Sequence, residues 1–226
     1  MPQESPAEPG GVRRLLRSLP VFAFDLPDFR PGTAPDEPVS LFVEWLMSAI
    51  EGGVFEPHAM TLSTADEGGR PSARVLICKD VDDEGNWYFA SSAAGRKGHE
   101  LEANPHAALT FYWPQQGRQI RVRGPVTTAG AERSAADFLA RSPGARAEAL
   151  SSRQSQVLDD PAEAEAALRT ALDRINAEPD LVAADWTLYA LAASEVEFWQ
   201  ADAQRRHTRL RYERTGGDWI RHLLWP

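Results

Sequence analysis

At 226 residues, with 42% hydrophobic and 25% charged side chains, the chain has the composition of one folded domain with a substantial core. A net charge of −9 excludes a general binder of nucleic acid or anionic membrane, either of which needs a basic face. The single cysteine, Cys78, excludes an intramolecular disulfide, and no apolar run approaches a membrane span or the core of a signal peptide, so a cytoplasmic protein is expected.

Residues 1–36 are rich in Pro and Gly, without sustained periodicity, and read as a flexible tail. Within it, Arg13 to Arg17 forms one basic turn, either a solvated turn or a segment that closes over a pocket; the solvated turn is the simpler reading. The folded domain is expected over residues 37–226. It opens with an amphipathic helix from Pro38 to Glu51 whose apolar stripe is Leu41, Phe42, Trp45, Leu46 and Ile50. Strands follow at Ala59–Thr64, Ser72–Val81 and Trp87–Ser91, separated by the turns Gly68-Gly69 and Asp82 to Gly85. A short helix, Arg96–Ala103, ends at Asn104-Pro105 and leads into strands Ala107–Trp113 and Arg118–Val126. Residues 131–177 are rich in Ala and Glu and predict helices around Pro143 and Pro161. Four more strands close the chain at Trp186–Leu191, Val196–Trp199, His207–Arg214 and Trp219–Leu223. Turns rather than crossover helices join most strands, which predicts an antiparallel α+β fold, and so many short strands suggest a barrel. Trp45, Trp87 and Trp219 are expected in the core, and Cys78 as a small buried hydrophobe.

The positive charge is unusual in kind and in placement. Only Lys79 and Lys97 are lysines among 24 basic residues. An ammonium is a compact point charge and a guanidinium a planar fork, so a lysine in an arginine-rich chain suggests a place where the fork does not fit. Both lysines lie in cationic segments, Arg74 to Lys79 and Arg96-Lys97. Two further segments are Arg118 to Arg123 and Arg205 to Arg211. Alternation puts Gln119, Arg121 and Arg123 on one face of a strand, with Ile120 and Val122 opposite, and an extended run would give Arg205, His207, Arg209 and Arg211 a common face. Any one such strand reads as a solvated face, but several in an acidic protein favour a convergent anion pocket. Gly95, at the start of the Arg96–Ala103 helix, adds unpaired backbone N–H donors suited to phosphate. Phe111-Tyr112-Trp113 and Trp199 supply flat apolar walls nearby. The profile suits a ligand with a phosphate and a conjugated ring, such as flavin mononucleotide (FMN) or a pyridoxal-type phosphate. The remaining histidines lack the spacing of metal ligands.

The ordered set Arg74-x4-Lys79, Arg96-Lys97-Gly98, Asn104-Pro105, Phe111-Tyr112-Trp113, Arg118-Gln119-Ile-Arg-Val-Arg-Gly124, Gln154-Ser155, Glu197-Phe198-Trp199-Gln200, Arg205-x-His207-x-Arg209 and Trp219 to Pro226 resembles the pyridoxine/pyridoxamine 5′-phosphate oxidases. The resemblance covers residues 38 to 226. It implies an antiparallel Greek-key split β-barrel with peripheral helices, binding FMN and forming a homodimer with sites at the subunit interface. It also implies that Arg74, Arg96, Lys97 and Ser155 hold the FMN phosphate and ribityl chain. Gln119, Gln154, Trp199 and Arg209 would line the rest of the flavin, and Phe89 and Ala90 would touch it through their backbone. Lys79 and Arg141 would bind the substrate phosphate, and Arg205 and His207 would lie over the reacting carbon as the catalytic pair. His207 is left either as acid/base or as a hydrogen-bond donor.

The implied reaction oxidises a phosphorylated vitamin B6 alcohol or amine to pyridoxal 5′-phosphate and reduces O2 to H2O2. Three departures qualify it. Asp137 and Ala145 stand where the family places a Tyr and a Ser among the phosphate ligands, and an Asp there would repel phosphate. Thr187-Leu188 follows Trp186 in place of Gly-Gly, and one extra residue lies between Phe89 and Arg96. Two alternatives therefore stay open: an oxidase of another aromatic compound, like the flavin oxidases of phenazine biosynthesis, or a non-catalytic carrier of flavin or pyridoxal phosphate.

Overall fold

The structure is a computed structural model describing residues 11–22 and 25–226; residues 1–10, where the expected tail begins, lie outside the described residues. Helix α1 (Gly11–Ser18) buries none of its side chains. Residues 25–36 lie against the barrel: Phe29 packs edge-on to Trp45 at 5.0 Å, and Tyr212 donates its hydroxyl to the Pro35 carbonyl at 2.7 Å.

Helix α2 (Pro38–Glu51) begins on Pro38, where the missing N–H costs nothing and the ring presets a helical φ. It buries Leu41, Phe42, Trp45 and Ala49. The predicted stripe ran on to Ile50, but Ile50 is 52% exposed. Ala49, four residues after Trp45 and one turn on, is fully buried in its place.

Ten strands follow, and every pairing is antiparallel. They are β1 (Ala59–Ala65), β2 (Pro71–Ile77), β3 (Asp80–Val81), β4 (Asn86–Ser92), β5 (His106–Trp113), β6 (Arg118–Thr128), β7 (Trp186–Ala192), β8 (Glu195–Gln200), β9 (Thr208–Thr215) and β10 (Asp218–Leu224). The main sheet runs β10-β9-β8-β6-β5-β1-β2, while β3, β4 and β7 form a second arm that joins it through β6. β6 serves both arms: residues 118–123 pair with β8, and residues 126–128 pair with β7. Gly124 marks the change of partner, because a Cβ there would stand 1.9 Å from the Ala192 carbonyl oxygen. Curling about β6 makes the half-barrel, an α+β architecture as expected. Its interior is aromatic, with Phe42, Trp87, Phe89, Phe111, Trp113 and Phe198 all buried.

The predicted strand Ser72–Val81 is in fact two. The Cys78 N–H donates to the His58 carbonyl at 2.9 Å, whereas the Lys79 N–H donates to the Tyr88 carbonyl at 2.8 Å. The backbone exchanges one partner strand for another between adjacent residues, and Lys79 sits at that corner. Burial pushes the neighbouring Cys78 thiol up to about 12, so it is an inert hydrophobe at neutral pH.

Helix α3 (Arg96–Ala103) lies between β4 and β5. Helices α4 (Ala131–Leu139), α5 (Pro143–Ser151) and α6 (Pro161–Ala177) form a small second core around Phe138, Ala147, Ala171 and Ile175. Pro143 and Pro161 start the last two helices, each beside a capping side chain: Ser142 accepts from Ala145 N–H at 3.3 Å, and Asp160 from Ala162 N–H at 2.9 Å.

Candidate functional site

The candidate residues gather into two groups on different parts of the chain. The first forms around the N-terminus of α3. Gly95 caps this helix without a side-chain hydrogen bond, so its first N–H groups face outward, and Arg96 N–H reaches Ser155 Oγ at 3.4 Å. Gly98 allows the close approach of α3 to the preceding turn, since a Cβ there would fall 2.0 Å from the Ala93 carbonyl oxygen. Lys97 is only 6% exposed and donates through Nζ to Gln154 Oε1. Burial, reinforced by the Arg74 cation, holds its ammonium below the usual lysine range. Ser155 has a φ of 74°, a strained backbone for a residue with a side chain, held where its hydroxyl meets α3.

Beneath these cations lies Glu100, which the sequence reading missed. Its carboxylate accepts from Ser72 Oγ at 2.6 Å, Arg96 Nε at 2.8 Å and Arg74 Nη2 at 3.3 Å, and also from Thr64. Burial opposes its ionisation, but the bonds from Ser72, Thr64, Arg96 and Arg74 outweigh that and hold the carboxyl at about 2. The i,i+4 spacing from Arg96 was the available signal. Glu100 therefore fixes Arg74 and Arg96 in place as second partners of whatever anion they bind.

Two cavities open on this group. One, of about 750 Å3, is lined by Arg96, Glu100, Gln154 and Ser155. The other, of about 310 Å3, is lined by Lys79, Ala90, Ser91, Ser92, Arg141 and Trp186, and shares Gln154 with the first. The Phe89 side chain is fully buried and stacks on Tyr189, so at this strand end it is Ala90 and its two successors that face the cavity. Arg141 lies over the Trp186 ring at 4.1 Å, and its Nη2 is 3.7 Å from Glu148. Asp137 is 3.2 Å from Lys79 Nζ and accepts the Trp186 indole N–H at 2.9 Å. Ala145 spends its N–H on the Ser142 cap, and Leu188, buried, donates its N–H to Ser134 Oγ at 3.0 Å.

The second group lies on the main sheet and lines neither cavity. Gln119, Trp199 and Arg209 are directly opposite one another across β6, β8 and β9. Arg209 is fixed by Glu197, 2.9 Å from Nε, and by the Trp225 carbonyl, 3.0 Å from Nη1. Arg121 and Arg123 lie outward as the alternation predicts, and each is spent on a glutamate across the sheet, Glu197 and Glu195. Arg118 points inward instead: it is 5% exposed, lies over Trp45 at 4.3 Å and donates to Gln200 at 2.9 Å.

The predicted extended face from Arg205 to Arg211 holds only for its second half. β9 starts at Thr208; before it the chain turns around Asp202, whose carboxylate accepts the N–H groups of Gln204 and Arg206, and Arg205 adopts a left-handed φ of 66°. His207 Nδ1 accepts the Asp202 N–H at 3.1 Å, so a neutral ring carries its proton on Nε2. That leaves the histidine a donor toward its open side. Its ring packs on Trp199 at 5.0 Å, and Phe22 lies against both.

Residues 46–200 match the family model for pyridoxamine 5′-phosphate oxidase, and residues 186–226 match the pyridoxine 5′-phosphate oxidase C-terminal dimerisation region. The chain belongs to the pyridoxamine 5′-phosphate oxidase family. It is 40% identical to the pyridoxine/pyridoxamine 5′-phosphate oxidase of Azotobacter vinelandii over 85% of this chain and 90% of that protein. The enzyme of the same name from Salinibacter ruber is also 40% identical, over 84% of this chain and 90% of the relative. Among solved structures, PhzG from Burkholderia lata in complex with tetrahydrophenazine-1-carboxylic acid superposes with a TM-score of 0.82 at 32% identity, covering 89% of this chain and 98% of that one. A pyridoxamine 5′-phosphate oxidase-related, FMN-binding protein from Nostoc punctiforme shares the fold with a TM-score of 0.69 at 17% identity, covering 85% of this chain and all of that one. The protein is thus an FMN-dependent oxidoreductase built on the split barrel, with the family's dimerisation region at its C-terminus.

The residues present suit FMN. Arg74, Arg96 and Lys97 gather at the N-terminus of α3, which has no side-chain cap from Gly95, and the carboxylate beneath them, Glu100, is already saturated by hydroxyls and arginines, while Asp66 and Glu67 border the larger cavity. That donor set fits a phosphate, with Ser155 and Gln154 at hand for hydroxyls and a ring edge.

Proposed function

We propose that this protein oxidises pyridoxine or pyridoxamine 5′-phosphate to pyridoxal 5′-phosphate, with O2 reduced to H2O2. The observation that carries the reading is the pair of adjoining cavities sharing Gln154, one walled by the phosphate-type donors Arg96 and Ser155, the other by Lys79 and Arg141. FMN, when bound, would supply the two-electron acceptor for oxidation at the substrate's C4′ carbon, with O2 as the terminal acceptor. The chain's own part is placement: Arg74, Arg96, Lys97 and Ser155 hold one phosphate, while Lys79 and Arg141 hold the other. Trp199, Arg205, His207 and Arg209 lie in the C-terminal dimerisation region, with Gln119 paired to Trp199 across β6 and β8, which supports a site completed by the other protomer of the homodimer. Across that interface His207, donating from Nε2, and Arg205 orient the reacting alcohol or amine.

A specific observation favours a second reading, oxidation of another aromatic substrate: Asp137 sits on Lys79, and PhzG, with its carboxylic-acid ligand, is a near structural relative. The experiment is aerobic turnover by the FMN-loaded protein. Pyridoxine 5′-phosphate should give an absorbing aldehyde and peroxide; no product from either phosphorylated vitamer rejects the first reading, and turnover of a reduced phenazine carboxylate alone establishes the second.

A further inference from the structure

We infer that Asp137 is a specificity-determining residue that lowers the pocket's preference for a phosphate dianion, so that the unphosphorylated vitamer, a pyridine carrying a neutral hydroxymethyl group, is accepted beside the phosphate ester. The inference rests on the reading that the cavity of Lys79 and Arg141 takes the substrate's 5′ substituent. Lys79 is matched by the largely buried Asp137 at 3.2 Å, whereas Arg141 has only the exposed Glu148 at 3.7 Å. A phosphomonoester carries close to two negative charges at neutral pH, so it would bring them to a place where one of the two cations is already neutralised. Asp137 cannot simply swing aside. Its second oxygen accepts the Trp186 indole N–H at 2.9 Å, Trp186 is itself wedged between the Arg141 guanidinium and the Phe138 ring, and the Asp137 side chain is 13% exposed. A phosphate reaching Lys79 must therefore share it with a pinned carboxylate. A hydroxymethyl group meets no such repulsion, and its oxygen can accept from Arg141 Nη1, which is buried with no hydrogen-bond partner among the described residues.

The test compares binding of pyridoxal 5′-phosphate and pyridoxal to the FMN-loaded dimer, read by absorbance and flavin fluorescence. Asp137→Asn keeps the shape and an oxygen for the Trp186 indole while removing the charge. Wild type should bind the two ligands within about tenfold of each other, and Asp137→Asn should tighten the phosphate ester by about 10- to 100-fold, the range for one charge-assisted contact, and leave pyridoxal unchanged. Lys79→Met should cost the phosphate ester little in wild type and most of that gain in the Asp137→Asn background, the coupling expected if Asp137 occupies the ammonium. A wild type that prefers the phosphate ester by a thousandfold or more, or an Asp137→Asn protein with the same preference as wild type, overturns the inference while leaving the proposed reaction intact. Gain of phosphate-ester binding in Asp137→Asn without vitamer turnover by wild type keeps the inference and removes that reaction. Failure of every protein to bind either ligand overturns both.

Discussion

Glu100 and Lys97 show how single side chains are set for anion binding. The Glu100 carboxyl titrates near 4.5 in an unfolded chain and is held at about 2 by its hydroxyl and arginine partners. A depressed carboxyl stabilises the fold fully above its unfolded value and loses that contribution as pH falls toward its folded value. Glu100→Gln should therefore unfold at lower urea concentration than wild type at pH 7, and the difference should shrink between pH 4.5 and 2, where the wild-type carboxyl takes up its proton. A gap that stays constant over that range would remove Glu100 as the source. Lys97 brings a buried ammonium to the uncapped end of α3, so its loss should be felt by the cofactor first. Lys97→Met should weaken FMN binding by about 10- to 100-fold, corresponding to one charge-assisted hydrogen bond, as measured by quenching of free flavin fluorescence on titration.

At the scale of elements, the site depends on how closely α3 approaches the turn before it. Gly98 permits that approach, because any Cβ would drive into the Ala93 backbone. Gly98→Ala should destabilise the protein by about 1–3 kcal/mol, the cost of overpacking, and weaken FMN binding by moving Arg96 and Lys97 together. Gly144 in α5 is the control: nothing lies within 4 Å of a Cβ built there, so Gly144→Ala should be neutral or stabilising by up to about 1 kcal/mol. Urea denaturation of both variants separates a steric requirement from a general preference for alanine in helices. Gly124 is the same device in the sheet, making room where β6 passes from β8 to β7.

At the scale of the whole molecule, the phosphate-type donors around α3 and the row Gln119, Trp199 and Arg209 belong to different faces of the chain. If each site takes one group from each protomer, two defective proteins can complement. Lys97→Met and Trp199→Ala homodimers, each impaired alone, should on mixing and reassortment regain about a quarter of the wild-type sites, because half the dimers are mixed and each of those holds one intact pair. FMN content and turnover after mixing give the count. No recovery would place both groups in a site within one protomer.

The order of helices and strands was legible in the residues, because the period of an apolar pattern reports how one element faces its own core. So were the cations themselves and the ordered motifs that mark the family. The tertiary structure alone decided which charges remain available. Lys79 meets Asp137, 58 positions away in the chain, Arg121 and Arg123 are taken up by Glu197 and Glu195 across the sheet, and the strand through Cys78 and Lys79 breaks although no turn residue announces it. Periodicity is a property of neighbours in sequence, whereas an ion pair or an exchange of strand partner depends on which distant segments the barrel brings within a few ångströms.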